Sequence, residues 1–230
     1  PPRSTLFPYT TLFRSIDRLV ISDPSFRFLF HRQDTDEAIS IDCETTGFDP
    51  WVDDIVSVAA IPIVGKRILT SEAYRAVIRP NADLRAESIK VHQLRRQDVE
   101  HGREMADVLP ELLRFIGNRP LVGYWIDFDV RMLNKHVLKM LNVRLPNDQI
   151  DVCTLYHERK YGNAPPGTQI DLRYAAIMDD LKLPPLVGHD PFNDALGAAE
   201  MFVILREMKA RGERIKRIRD ADDVVDVMTG

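Results

Sequence analysis

Three strand patterns in close succession, followed by a regular alternation of strand and helix patterns, confine this chain to a mixed α/β sheet. AISIDC, from Ala38, alternates into a strand, DIVSVAAIPIV is a longer apolar run, and RILTSEAYRAVIRP is a third; together they predict an antiparallel meander. Pro62 cannot donate to a ladder, so it is expected near the strand end or at a bulge. EMADVLPELLRFIG then shows helical spacing with Pro110 in its early part, and PLVGY is a short strand feeding the helix DFDVRMLNKHVLKML. QID and VCTLYHERKYG repeat that unit. LRYAAIMDDL predicts another helix, and PFNDALGAAEMFVILREMKARG closes the domain with Gly212 as its stop. The expected fold class is α/β, a five-stranded mixed sheet flanked by helices.

Composition bounds the rest. The 230 residues are 44% hydrophobic with 2 Cys, 11 Gly and 15 Pro, which excludes disorder, collagen and a disulfide scaffold. One core can fill this length, so one domain with short extensions is expected. No stretch approaches the roughly 18 apolar residues of a membrane helix; the nearest, Ile55 to Val64, is interrupted by Pro62. Cys43 and Cys153 lie far apart without metal or redox spacing, which fits a reducing, cytoplasmic compartment.

Residues 1–15, PPRSTLFPYTTLFRS, fail as a secretory signal, having neither a basic start nor a continuous apolar centre. They resemble the in-frame translation of a common short-read sequencing adapter and are set aside as non-native. Removing Arg3 and Arg14 takes the basic residues from 31 to 29 against 35 acidic ones, so the net charge moves from -4 to -6. An acidic chain does not coat duplex nucleic acid, because that affinity comes from neutralised phosphates, but a local grip on a strand end stays open. The expected organisation is an arm over 16–37, a domain over 38–212 and a charged tail over 213–230. In the tail region KARGERIKRIR is basic and DADDVVDVM acidic; such runs are usually solvated, with partner docking as the alternative.

In AISIDCETTGFDP, Ile39, Ile41 and Cys43 face one side of the strand and Asp42 and Glu44 the other. Two carboxylates side by side repel and raise each other's pKa unless something positive lies between them. A divalent cation is the natural answer, and an all-oxygen site suits Mg²⁺ or Mn²⁺. Thr45, Thr46 and Gly47 add hydroxyls, backbone donors and close approach where the strand ends, a place for phosphate or sugar. Cys43, on the opposite strand face, is expected to be a small core residue.

DCETTG resembles the first motif of the DEDD exonucleases, the superfamily of the proofreading epsilon subunit of bacterial DNA polymerase III, and two further motifs follow in order. LVGYWIDFDVRML at 121–133 is similar to the second and makes Asp129 the third acid. HDPFNDA at 189–195 matches the His-x4-Asp form of the third, giving His189 and Asp194 and the DEDDh branch. SIKVHQLRRQDV is a softer match, with His92 aligned. The resemblance spans Ala38 to Gly212 and implies an RNase H-like fold. Asp127 is the rival for the second-motif acid; the family's acid directly follows Phe, which favours Asp129. Asp190 followed by Pro191 reads as a helix cap, so His189 lies just outside the helix and Asp194 in its first turns.

The resemblance implies a 3'-5' exonuclease that releases nucleoside 5'-monophosphates by two-metal hydrolysis. Asp42, Glu44 and Asp194 would hold one ion near the attacking water, and Asp42 with Asp129 the second beside the leaving 3' oxygen. His189 would take the water's proton. Thr45, Thr46, Phe48 and His92 are the candidates to hold the terminal nucleotide. One departure stands out: where the second motif commonly carries His-Asn, this chain has Tyr124 and Trp125. Trp125 is expected to pack in the core beneath the sheet, with a stacking surface in the cleft as the alternative. DNA is the favoured substrate. An RNA-trimming or oligoribonuclease-type enzyme is the alternative within the class, and a non-hydrolysing nucleic-acid-binding module the alternative outside it. Intact Asp42, Glu44, Asp129, His189 and Asp194 argue against the last. Expected partners are a nucleic acid 3' end, with a polymerase or a second copy of the chain left open, and no membrane.

Overall fold

The computed structural model describes residues 11–31, 36–81 and 99–217. Helix α1 (Thr11–Val20) runs across the 15/16 boundary between the adapter-like segment and the arm. A 3-10 helix over Pro24–Phe30 follows, capped by Asp23, and it buries Phe26, Leu29 and Phe30. The arm is thus packed against the domain.

β1 (Glu37–Thr45) and β2 (Ile55–Val64) pair antiparallel. The expected third strand is broken into β3 (Arg67–Ile68) and β4 (Tyr74–Val77), with a 3-10 turn over Thr70–Glu72 between them. Both pair with β2, so they share one edge of it. β5 (Leu121–Gly123) lies parallel to β1, and β6 (Gln149–Asp151) parallel to β5. Six strands therefore occupy five lanes. Pro62 lies near the end of β2, two residues before Val64, and not at a bulge: it pairs in register with Ile39, and the register shift falls between Glu44 and Thr45. The Ile39 amide donates to Pro120, away from β2, so this is a non-hydrogen-bonded pair and the missing donor of Pro62 faces the β3/β4 edge. The third strand interrupts there.

Helices cover both faces. Ile39, Ile41 and Cys43 join α2 (Met105–Ile116) and α3 (Ile126–Leu141) in one core, together with Phe26 and Leu29. On the opposite face Ala38 and Val122 meet α4 (Val152–Lys160), α5 (Tyr174–Asp180) and α6 (Pro191–Ala210) through Tyr156, Ile177, Ala199 and Phe202. Small residues let α6 sit close. Ala195, Ala198 and Ala199 are buried against the sheet, and Ser40 donates its hydroxyl to the Ala195 carbonyl at 2.7 Å. A Cβ at Gly197 would lie 1.8 Å from the Tyr174 hydroxyl, so α5 can seat on α6 only at glycine. Gly212, with φ +68°, ends the run after α6, as expected. Among the described residues no helix is long and apolar enough to cross a membrane.

Candidate active site

β1 projects Asp42 and Glu44 toward α6 because strand side chains alternate, and their cross-strand neighbours on β2 are small, Ala59 and Ser57. Asp129 arrives from the first turn of α3. β1 outruns the short β5 and leaves the Cys43 amide beyond the last paired residue, where it donates to Asp129 Oδ1 at 2.9 Å. The buried Asp129 thus continues the ladder with a side chain. Asp127 points elsewhere: it pairs with Arg131 one turn on at 2.5 Å, half exposed.

The third motif is built by a cap. Asp190 accepts from the Phe192 and Asn193 amides at 3.0 and 3.1 Å, and Pro191 opens the helix, as its Asp-Pro pair predicts. His189 stands just outside, exposed, in a left-handed conformation with φ +62°. Its amide donates to Asp194 Oδ2 at 2.8 Å, which ties imidazole and carboxylate into one turn. Ligand atoms of Glu44, His189 and Asp194 all lie within 4.8 Å of one another.

Burial and crowding raise the proton affinity of all four acids. Burial, followed by the charges of Asp129, Asp194 and Glu44, pushes Asp42 well above the usual carboxylate range. Burial and the Asp194 charge push Glu44 up to about 7. Burial takes Asp129 to about 8 despite the stabilising Cys43 amide, and burial raises Asp194 against the pull of the His189 amide. A positive charge among these groups would reverse all four shifts. The donor set fits a divalent cation: carboxylate oxygens from three elements with one imidazole at the rim. The buried Ser57 hydroxyl, opposite Glu44 in the register, has no partner among the described residues and leaves a further polar atom beside the site.

The candidates for the terminal nucleotide separate. Thr46 is fully buried, with its hydroxyl donating to Asp53 at 3.1 Å and accepting from the Asp54 amide at 3.0 Å, so it shapes the loop. Thr45 donates to the Gly47 carbonyl at 2.7 Å. A Cβ at Gly47 would sit 2.5 Å from the Asp53 carboxylate, so this fold of the loop requires glycine. Phe48 is 84% exposed, its ring centroid 6.1 Å from that of Phe128. His92 lies outside the described residues. Cys43 is a buried core residue on the far face.

Trp125 departs from the expectation of a place beneath the sheet. It is 46% exposed, with left-handed backbone at φ 55°, and it borders a groove with Tyr124 and residues 169–173. The turn that carries it ends a three-residue strand and cannot bring the ring back under the sheet. Tyr174 was not among the sequence candidates. Its hydroxyl reaches toward the Asp194 carbonyl at 3.4 Å, and burial, then the charges of Asp194 and Asp42, raise its pKa. Only the unusual Gly197 inside a helix hints at it in the sequence.

Residues 39–202 match the RNase_T exonuclease family. The chain is 27% identical over 221 residues to the PolC-type DNA polymerase III of Thermotoga petrophila, covering 92% of this chain and 15% of the relative. It is 26% identical over 173 residues to the DNA polymerase III subunit epsilon of Aquifex aeolicus, covering 74% and 81%. The chain spans about a seventh of the length of that PolC-type relative. Among solved structures, the zinc-ion-bound complex of E. coli exonuclease I with single-stranded DNA shares the fold, with a TM-score of 0.65 at 15% identity over 77% of this chain and 42% of the other. With its acids on β1, α3 and α6 and the family match running through all three, the chain belongs to the RNase_T exonuclease family.

Proposed function

We propose that the chain hydrolyses the 3'-terminal phosphodiester of a single strand, DNA in preference to RNA, and releases nucleoside 5'-monophosphates. The observation that carries this reading is the convergence of Asp42, Glu44, Asp129 and Asp194, four carboxylates driven toward protonation in one cleft beside an exposed histidine. Such a cluster is electrostatically unfavourable unless it receives divalent charge. Asp42, Glu44 and Asp194 would hold one ion and Asp42 with Asp129 a second, Mg²⁺ or Mn²⁺. Bound there, the ions supply the charge that steadies attacking and leaving oxygens together.

The chain's own residues do the rest. His189, exposed and fixed to Asp194 through its amide, accepts the proton of the attacking water at its imidazole. The water oxygen bonds to phosphorus, the bond to the 3' oxygen of the preceding nucleotide breaks, and that oxygen leaves to take up a proton. Asp129, on the α3 side, orients the leaving-oxygen end. Phe48 offers a ring for the terminal base, while Thr45 and Thr46 hold the loop that presents it. The E. coli exonuclease I structure names single-stranded DNA and a zinc ion, and the two sequence relatives are a DNA polymerase and a polymerase subunit, which together favour DNA. They also make a polymerase the partner class to test by co-purification, with a homodimer as the other assembly.

The test is release of the terminal label from a 3'-labelled single strand, with DNA and RNA in parallel. The expected result is cation-dependent release, faster from DNA and lost in Asp42→Ala. Equal release from Asp42→Ala sinks the reading, and faster release from RNA transfers it to RNA trimming.

A further inference from the structure

The groove beside Trp125 is not used by the mechanism above. It has a volume of about 560 Å³, and Tyr124, Trp125, Ile170 and Arg173 are among its walls, a size suited to one small ligand. Trp125 and Ile170 are 46% and 53% exposed. The Tyr124 and Trp125 rings meet edge-on at 6.1 Å, and Tyr124 is fixed by its hydroxyl bond to the Leu172 carbonyl at 3.0 Å. Trp125 has left-handed backbone at the cap of α3, with no side-chain capping bond. A bulky residue there is strained. Beside it, the Asp151 carboxylate at the end of β6 caps α4 through the Cys153 amide at 2.8 Å.

The groove adjoins the carboxylates by two routes. Trp125 is the capping residue of α3, the helix whose first turn carries Asp129. Tyr124 also packs edge-on against Tyr174 at 5.2 Å, and Tyr174 reaches the Asp194 carbonyl. At the rim Arg173 and Asp171 form an exposed pair through two hydrogen bonds, at 3.0 and 2.6 Å.

We propose that the Tyr124–Trp125 groove stacks the unpaired base of the penultimate nucleotide, the one whose 3' oxygen leaves, so that Trp125 is a substrate-positioning residue. The assignment rests on the proposed function, because it places the leaving oxygen on the Asp129 side. The occupant follows from continuity with the cleft and from the aromatic lining of the groove. Stacking of this kind tolerates any base, so the groove measures whether the second nucleotide is unpaired and leaves its sequence unread.

Trp51 and Trp125 are the two tryptophans of the chain, so Trp51→Phe leaves Trp125 as the reporter. In the full chain with Ca²⁺ in the buffer, a ten-residue oligothymidylate should quench that emission. The same strand made abasic at its second residue from the 3' end should bind about tenfold more weakly and quench less. Trp125→Asn removes the ring while suiting the left-handed backbone; read by the anisotropy of a 5'-labelled strand, it should weaken the intact strand about tenfold and the abasic strand no further, and Trp125→Tyr should restore binding. Equal binding of the two strands by the parent chain overturns the proposal without any variant, and so does an equal loss on both strands in Trp125→Asn. These are binding measurements. A chain that shows the abasic effect but releases no mononucleotide refutes the hydrolysis reading alone, and one that releases mononucleotide without the effect refutes the groove alone.

Discussion

The two faces of β1 are one residue apart and solve opposite problems. Ile39, Ile41 and Cys43 enter a dry core between the sheet and helices α2 and α3, where removal from water is itself the stabilising force. Asp42 and Glu44, on the facing side, are held with two more acids whose proton affinities all rise, so the same removal from water works against the fold. One face is finished when the chain folds. The other is completed only by a bound charge, which is what a site that handles a polyanion's end requires.

Substitutions of adjacent residues should separate the faces. Asp42→Asn is expected to lower mononucleotide release by about a thousandfold or more, since several kcal/mol of transition-state stabilisation depend on the ions. The same change should raise the melting temperature of the cation-free chain, because the cost of burying an ionisable carboxyl among other acids is gone. Ile41→Ala should do the reverse to stability, costing about 2–5 kcal/mol in denaturant unfolding. If both changes destabilise alike, the contrast fails.

Solution pH should act on the acid face alone. Glu44 rises from 4.5 to about 7 and Asp129 from 3.8 to about 8 on folding, so between those limits the folded chain binds more protons than the unfolded one. Its cation-free stability must then fall as pH rises through that window. Mg²⁺ or Mn²⁺ should raise the melting temperature more at pH 8 than at pH 5.5. Calorimetry at the two pH values checks this, and an equal shift would contradict it.

Smaller effects sharpen the boundary of the site. Asp190→Ala removes the α6 cap and should cost about 1 kcal/mol in thermal unfolding, with slower turnover because His189 and Asp194 flank it. Asp127→Asn breaks an exposed pair with Arg131 and should change stability by about 0.5 kcal/mol or less and leave mononucleotide release within about twofold. A large loss there would return Asp127 to the site.

What was legible in the sequence was whatever local pattern decides. The alternation through Asp42 and Glu44 and the Asp190-Pro191 cap each express a local rule, and each holds; Asp129 was picked out by the motif resemblance. The split of the third strand was half legible: Pro62 signalled a missing donor, but which edge it faces depends on the register with Ile39. Trp125 was not legible, because its exposure follows from a left-handed turn at the cap of α3 that no nearby glycine announces. Thr46 looked like a ligand-binding hydroxyl and is instead consumed by Asp53 and Asp54 across the loop. Local rules cannot count hydrogen bonds that arrive from a distance.

The most direct measurement is a time course on a single strand labelled differently at its two ends, with products identified as 5'- or 3'-monophosphates. With Mg²⁺ or Mn²⁺ the account predicts that the 3' label is lost first, as a nucleoside 5'-monophosphate, and that a chelator stops the loss. Internal cuts, initial loss of the 5' label, or release that persists in chelator would contradict it.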